Sequence, residues 1–281
     1  MSPSEQIALA WEGFMRTLRL VKKAQLWLPW LVLGIGESVV LLLIWWFAHP
    51  TVSALMAPLV QAIGGEDALH YPDIFSHMPG LYARADMVIV ATLGAVMLGA
   101  STRLFADAHT GAPLRAGNAI WGALRRMLTL VIVLLPFNLL LAGLSFGLGV
   151  ALADQGVLVQ RAGYVFGLGA SIVLQGFFLY VSQLVMLERR GVKRTLAAMS
   201  RTWRHGFLAA IVLGSLFLLP LLPLHLLSGQ TARIVDRGSP DLIGIMVFAQ
   251  IVVALAAGFL LNGSATLVYL SAMTRREEVE V

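Results

Sequence analysis

Six apolar stretches, each long enough to cross a bilayer, are separated by short segments that carry nearly every charge of this 281-residue chain. A hydrocarbon core takes about 20 helical residues to cross. The stretches run over about 26–48, 86–106, 127–153, 163–187, 207–227 and 241–273. Inside lipid, backbone polar groups must pair within a helix or a closed barrel. Barrel strands read as short alternating segments, a pattern this sequence does not have. The expected fold is all-α: a polytopic transmembrane helix bundle of six spans, one integral membrane domain over 1–281, with interfacial amphipathic helices and an external loop at 51–85. Only 12% of residues are charged, against about 25% in soluble domains. The chain has no Cys, which removes disulfides, thiolate metal sites and cysteine nucleophiles. The first apolar run begins near Leu26 and leads to His49-Pro50, so it reads as a retained helix rather than a cleaved leader.

Charge asymmetry orients the spans. Arg16, Arg19, Lys22, Lys23, Arg103, Arg115, Arg125, Arg126, Arg189, Arg190, Lys193, Arg194, Arg201, Arg204, Arg275 and Arg276 fall on one side. Arg84, Arg161, Arg233 and Arg237 fall on the other, which accounts for all 20 Lys and Arg residues. The positive-inside rule then places both termini in the cytoplasm. The net charge of +5 follows from that bias, which attracts anionic lipid headgroups. Nucleic acid is not an expected partner, because topology already uses these charges.

Local signals mark several boundaries. Asp86 reads as the opening residue of the second span. Ser239-Pro240-Asp241 reads as cap, first-turn proline and first-turn acid of the sixth. In the external loop, Val52, Leu55, Met56, Leu59, Val60 and Ile63 share one helical face that ends at Gly64-Gly65, as in a helix lying in the outer interface. Tyr71, Phe75 and Tyr82 suit an interfacial aromatic belt. Three basic amphipathic segments precede the odd-numbered spans: Ile7–Val21, Leu114–Arg126 and Val192–Arg204. Each places an Ala six residues before an Arg: Ala10/Arg16, Ala119/Arg125 and Ala198/Arg204. Two readings stand, a threefold repeat of interface helix plus hairpin, or simple extension of each following span.

The run Trp11-Glu12-Gly13-Phe14, then Arg19-Leu20-Val21-Lys22-Lys23 and a Trp-rich first span, resembles bacterial six-span inner-membrane families of unknown function. The layout is also similar to the membrane domain of glycerophosphodiester phosphodiesterases. The resemblance implies a membrane-embedded plan and a location in the bacterial inner membrane. No residues match the soluble phosphodiesterase domain, so that activity is not implied.

Glu37, in Gly34-Ile35-Gly36-Glu37-Ser38, is the outlier, because a carboxylate at mid-membrane costs about 2.5–3.5 kcal/mol or more and such groups face the bundle interior. It reads either as a proton-linked or cation-binding carboxylate or as a helix clamp, in a polar cluster with Asn138, Gln175 and Gln250. Asn262 is a further partner at similar depth, and Pro136 would free a backbone carbonyl beside Asn138. Pro220 and Pro223 are expected to kink or end the fifth span. Gly143-Leu144-Ser145-Phe146-Gly147 fits the G-x-S-x-G pattern, which works on a strand-to-helix turn. Inside a span, Gly143 and Gly147 instead read as a helix-packing face. His70, Asp73 and His77 read as solvated loop residues rather than metal ligands. Arg189, Arg190, Lys193, Arg194, Arg201 and Arg204 are the candidate contacts for lipid headgroups or a partner.

The expectation is a non-enzymatic scaffold or accessory subunit, with no catalytic residue, metal or cofactor, that contacts membrane lipids and other integral membrane proteins. The alternative is a transporter or permease-like protein that uses Glu37. Orientation is directly measurable. An impermeant label applied to intact cells is expected to leave 189–204 unmodified and to reach 51–85.

Overall fold

Ser2 and Glu5 start the first helix by exchanging hydrogen bonds. The Glu5 N–H donates to Ser2 Oγ at 3.3 Å, and the Ser2 N–H donates to the Glu5 carboxylate at 2.8 Å. This reciprocal cap, with Pro3 in the first turn, satisfies donors that a helix start leaves open. The computed structural model describes residues 2–66, 69–70, 73–152, 155–228, 231–237 and 240–280. On these it leaves out the side chains of 63–64, 157, 201, 204–205, 225–226, 228, 232 and 274–280. The protein is 88% helical, with no strand among the described residues. Six helices are long and apolar enough to cross a membrane: Ala24–Trp45, Asp73–His109, Met127–Leu152, Leu158–Met186, Gly206–Leu224 and Asp241–Met273. The fold is an all-α, multi-pass membrane bundle.

The helices, in chain order, are α1 (Pro3–Leu20), α2 (Ala24–Trp45), α3 (Pro50–Gly64), α4 (Asp73–Ile89), α5 (Ala95–His109), α6 (Ala116–Leu124) and α7 (Met127–Leu152). They continue with α8 (Val157–Phe178), α9 (Val181–Met186), α10 (Val192–Leu218), α11 (Leu222–Ser228), α12 (Thr231–Asp236) and α13 (Asp241–Glu280). A π-helical turn, Val90–Gly94, joins α4 to α5, and a 3₁₀ turn, Leu219–Leu221, joins α10 to α11. The 3₁₀ turn contains Pro220, so the proline interrupts the fifth span as expected.

The second span corrects the sequence reading. Asp86 does not open it. The helix begins at Asp73 and carries Asp86 in its interior, through 37 residues to His109. At 1.5 Å per residue that is roughly 55 Å, well beyond the hydrocarbon core. Charges at Asp73, His77 and Arg84 break the hydropathy pattern, yet all three are exposed, while Ile74, Phe75, Met78, Leu81 and Tyr82 form a buried stripe. Phe75 and Tyr82 are therefore core residues of α4 rather than loop aromatics. Asp73 and His77 lie in its first turns rather than in a loop. Tyr71 and Ser239 lie outside the described residues. The α3 helix spans Pro50–Gly64, as the loop pattern predicts.

The three basic amphipathic segments share one arrangement. Small residues point inward: Ala10, Ala119 and Ala198 are all buried, while Trp11, Trp121 and Leu196 are exposed. In this molecule the large apolar side chains turn away from the protein, so only lipid or a partner can cover them. The three segments differ in how they join the span that follows. α1 and α6 are separate helices, set off by turns at Val21-Lys22 and Arg125-Arg126, whereas the third segment runs unbroken into the fifth span within α10.

The chain forms two compact units. One comprises 1–30, 91–218 and 258–281, and the other 31–90 and 219–257. In the first, α1 packs against α10, and the Gln6 side chain accepts a hydrogen bond from the Leu208 N–H at 3.1 Å. Trp27 stacks on Phe259 with ring centroids 4.0 Å apart, and Phe105 meets Phe259 edge-on at 5.0 Å. In the second, Leu41, Ile44 and Phe47 of the first span pack with Ile74, Phe75, Met78, Leu81 and Tyr82 of α4 and Ile243, Val247 and Ile251 of α13.

Glycine positions separate closed from open surfaces. A Cβ on Gly263 would lie 2.4 Å from Thr17 Cγ2 and 2.7 Å from the Phe105 ring, both fully buried. Gly263→Ala is expected to cost about 1–3 kcal/mol by overpacking. A Cβ on Gly143 meets nothing within 4 Å, so Gly143→Ala is expected to gain about 0.5–1 kcal/mol from helix propensity. Unfolding of both variants in micelles checks the contrast.

Candidate functional site

Glu37 is the only charged residue of α2 and is 5% exposed. The charged group that acts on it is Asp86 of α4. One helical turn earlier on α4, the Tyr82 hydroxyl donates a hydrogen bond to the Asp86 carboxylate. The i, i+4 spacing puts Tyr82 and Asp86 on one face of that helix. Asp86 Oδ1 is buried and has no hydrogen-bond partner among the described residues. The sequence reading singled out Glu37 but missed both partners. It took Asp86 for a helix start and Tyr82 for an interfacial aromatic.

The other members of the expected polar cluster lie elsewhere. Gln250 shares a unit with Glu37, but its side-chain amide donates to the Leu224 carbonyl at 3.0 Å. That bond serves a backbone acceptor in α11, close to Pro220 and Pro223. Asn138 and Gln175 belong to the first unit. Asn138 is half-buried on α7, one turn from the exposed Leu135. The Gln175 Oε1 lies against Gly214 of α10, 3.2 Å from where a Cβ would stand. Pro136 is exposed.

The first unit holds a different polar cluster, made of neutral groups from three helices. The Thr102 hydroxyl of α5 lies 3.0 Å from Ser182 Oγ and 3.1 Å from Asn262 Oδ1. The Gln183 amide of α9 donates to Thr266 Oγ1 at 3.2 Å and to Asn262 Oδ1 at 3.4 Å. The Ser182 hydroxyl donates to Gln183 Oε1 at 3.0 Å, and the Asn262 amide donates to the Leu98 carbonyl at 3.4 Å. All five side chains are buried and each has a partner. Beside them, Trp30 Nε1 donates to Ser101 Oγ at 2.8 Å. Asn262 alone of the five stood out in the sequence. Ser101-Thr102, Ser182-Gln183 and Asn262 near the basic ends of the even spans were the available signal.

The basic candidates divide. Arg189 adopts φ 54°, the left-handed conformation that usually favours glycine, and closes α9 while the Arg190 N–H reaches back to the Leu184 carbonyl. Arg190 pairs with Glu188, which also accepts from the Tyr269 hydroxyl. Lys193 and Arg194 are exposed on the first turn of α10. The side chains of Arg201 and Arg204 lie outside the described residues. Arg126 donates to the Val185 carbonyl at 2.8 Å, which ties it to the fold.

Two further motifs lack the geometry that their chemistry needs. Ser145 lies exposed in the middle of α7, not on a strand-to-helix turn. His70, Asp73 and His77 are exposed, and no group of three or more His, Asp or Glu positioned for a metal occurs among the described residues.

These features define a multi-pass helical membrane protein with a neutral polar network in its first unit and a buried glutamate, Glu37, in its second. Comparison with protein-family models, curated proteins and solved structures finds no match.

The neutral network makes a stability prediction. Asn262→Ala removes a shared acceptor and leaves Gln183 and Thr102 short of a partner, a loss of about 1–3 kcal/mol. Thr266→Val, which takes away one acceptor of the Gln183 amide and the hydroxyl's own bond to the Asn262 carbonyl, is expected to cost about 0.6–1.7 kcal/mol. Reversible unfolding in mixed micelles measures both.

Proposed function

We propose that this protein is a non-enzymatic, multi-pass protein of the bacterial inner membrane, with both termini in the cytoplasm. It serves as a scaffold or accessory subunit that contacts lipids and other integral membrane proteins. The observation that carries this reading is the open surface of the α7–α8 hairpin. Only 17% of the most apolar stretch of the third span and 22% of that of the fourth are buried, against 56% in the second. Gly143 and Gly147 lie one turn apart on that surface, and a Cβ on either meets nothing within 4 Å.

Glycine inside a helix costs about 0.5–1 kcal/mol relative to alanine. Facing lipid it returns nothing, whereas against a second helix it lets two backbones approach closely. The paired glycines therefore support a partner helix on this face. The exposed Lys193 and Arg194, with the exposed Trp11 and Trp121 of the interface helices, suit anionic lipid. The six-span layout accords with the inner-membrane families that the N-terminal segment resembles.

A second reading, a transporter or permease-like protein with an intramembrane coupling carboxylate, is favoured by one specific observation. Glu37 is buried, and on α4 the Asp86 Oδ1 atom is buried without a hydrogen-bond partner among the described residues, unlike the neutral network, in which every side chain has one. On that reading Glu37→Gln abolishes uptake and preserves folding.

Affinity purification in mild detergent tests the scaffold. The Gly143→Leu/Gly147→Leu variant is expected to lose co-purifying membrane proteins while it keeps the thermal midpoint of the parent. Unchanged recovery of the same companions would remove the α7–α8 face as the docking surface.

A further inference from the structure

Three spans of the second unit end together, and their ends enclose an aromatic cleft of about 560 Å³. The first span supplies its last residue, Trp45, and the turn that follows supplies Trp46 and Phe47. Phe75 comes from the first turn of α4, Ser53 from α3, and Asp241 is the first residue of α13. Small-molecule sites commonly measure about 300–1,000 Å³, so the space suits an organic ligand. Neither functional reading uses it.

The local backbone explains how neighbouring aromatics come to share one cleft. Consecutive helical residues point about 100° apart and do not share a face. Here α2 stops at Trp45, and a turn follows in which the His49 N–H donates to the Trp46 carbonyl at 2.9 Å. Trp45 is fixed by two contacts with α13. Its Nε1 donates to Asp241 Oδ1 at 3.3 Å, and its ring lies on Gly244, one turn further along. A Cβ on Gly244 would stand 2.6–2.7 Å from Cδ2, Cε2 and Cε3, which is contact with the face of the indole. Phe47 and Phe75 belong to the buried core of the unit, whereas Trp46 is 65% exposed.

Among the side chains that line the cleft, only Asp241 is an acid or a base. Its place in the first turn complements the dipole of α13, and one oxygen takes the Trp45 N–H. Among the described residues no Lys or Arg forms an ion pair with it. Arg233 and Arg237, in the stretch that leads to it, are exposed. The connecting segments 49–85 and 225–241 together carry five acids and three arginines, so their balance favours a cation.

The face of an aromatic ring attracts positive charge, most strongly in Trp. A carboxylate among such rings selects for a cation, and apolar walls select against one that must keep its water. A primary ammonium brings three N–H donors that need acceptors. A quaternary ammonium spreads its charge over an apolar shell and needs none. We propose that this cleft binds a hydrophobic quaternary ammonium ion, with Asp241 as the charge partner and the rings of Trp45, Trp46, Phe47 and Phe75 as walls. The occupant is a free organic cation rather than a lipid headgroup, whose phosphate would bring a second negative charge beside Asp241.

The test is equilibrium dialysis of radiolabelled benzyltrimethylammonium against the full chain in lipid nanodiscs, with protein-free nanodiscs as the blank. Saturable binding of one ion per chain is expected. The neutral isostere neopentylbenzene, with carbon in place of the nitrogen, is expected to displace it roughly tenfold less well for want of the charge. Asp241→Asn keeps an oxygen for the Trp45 N–H and removes only the charge, so affinity is expected to fall roughly tenfold. Trp46→Leu removes one exposed ring and is expected to weaken binding about two- to fivefold. The comparison of cation with isostere uses the unaltered protein and so does not depend on any variant folding.

Binding no greater than the blank overturns the proposal, as does equal displacement by the isostere, which leaves only an apolar cleft. Unchanged affinity in Asp241→Asn also overturns it. Binding that appears only when ethanolamine lipids are left out of the nanodiscs overturns the free cation as occupant and makes the cleft a headgroup site. None of these results bears on the α7–α8 face or on Glu37, because the cleft rests on neither.

Discussion

Away from water, an unpaired polar group has nothing to pair with except the protein, and this one constraint shapes the chain at every level. It makes the spans helical, because a helix satisfies its own backbone. It gives Gln250 to a backbone carbonyl next to a proline-interrupted segment. It also gives Arg126 to the Val185 carbonyl near the end of the short helix α9. Once backbone pairing is complete, the side-chain polar groups are what distinguish one apolar helix from another. In hydrocarbon they act without a hydrophobic force between helices. The network of Thr102, Ser182, Gln183, Asn262 and Thr266 joins three even-numbered spans in this way, and its partners specify which residue of each span meets which.

The same constraint explains where the helices are irregular. The chain passes from one compact unit to the other at 30/31, 90/91, 218/219 and 257/258. Pro29 lies beside the first crossing, the π-helical turn Val90–Gly94 spans the second, and the 3₁₀ turn with Pro220 begins at the third. Gly258 stands at the fourth, where the Trp30 ring occupies the space a side chain would need. The π-helical and 3₁₀ turns alter the i→i−4 ladder and free backbone groups, which a membrane protein tolerates only with compensation nearby. At the other two crossings α2 and α13 continue as regular helix past Pro29 and Gly258.

The six spans were legible because hydropathy over twenty residues is a strong signal, and α3 because a one-sided apolar stripe ended at two glycines. The start of the second span was not. Asp73, His77 and Arg84 lower the average hydropathy of 73–85, and an average cannot register that all three sit on the exposed side of a helix whose other side is core. That single error hid the candidate site, because Asp86 in a helix interior beside Glu37 is a different residue from Asp86 at a helix start. Glu37 was legible as a charge out of place. Its partners were not, since Tyr82 and Asp86 are close to it only through packing between α2 and α4, which no local pattern encodes. The predicted set of Asn138, Gln175 and Gln250 followed from equal depth along separate helices. Depth fixes one coordinate and leaves rotation about each helix axis undetermined.

The chemistry chosen for the two polar sites separates their roles. Gln, Asn, Ser and Thr each carry both donor and acceptor capacity, so a neutral set can close its own hydrogen bonds in any buried geometry that suits it. The first unit does this with five side chains and no ionisable group. A clamp at position 37 could be made from the same residues, and Gln would match Glu in size. The second unit instead buries an acid, Glu37, and leaves one oxygen of Asp86 buried without a partner among the described residues. An amide brings its own donor, which a carboxylate lacks unless it is protonated, so the acids leave this unit with acceptor capacity that its described groups do not close.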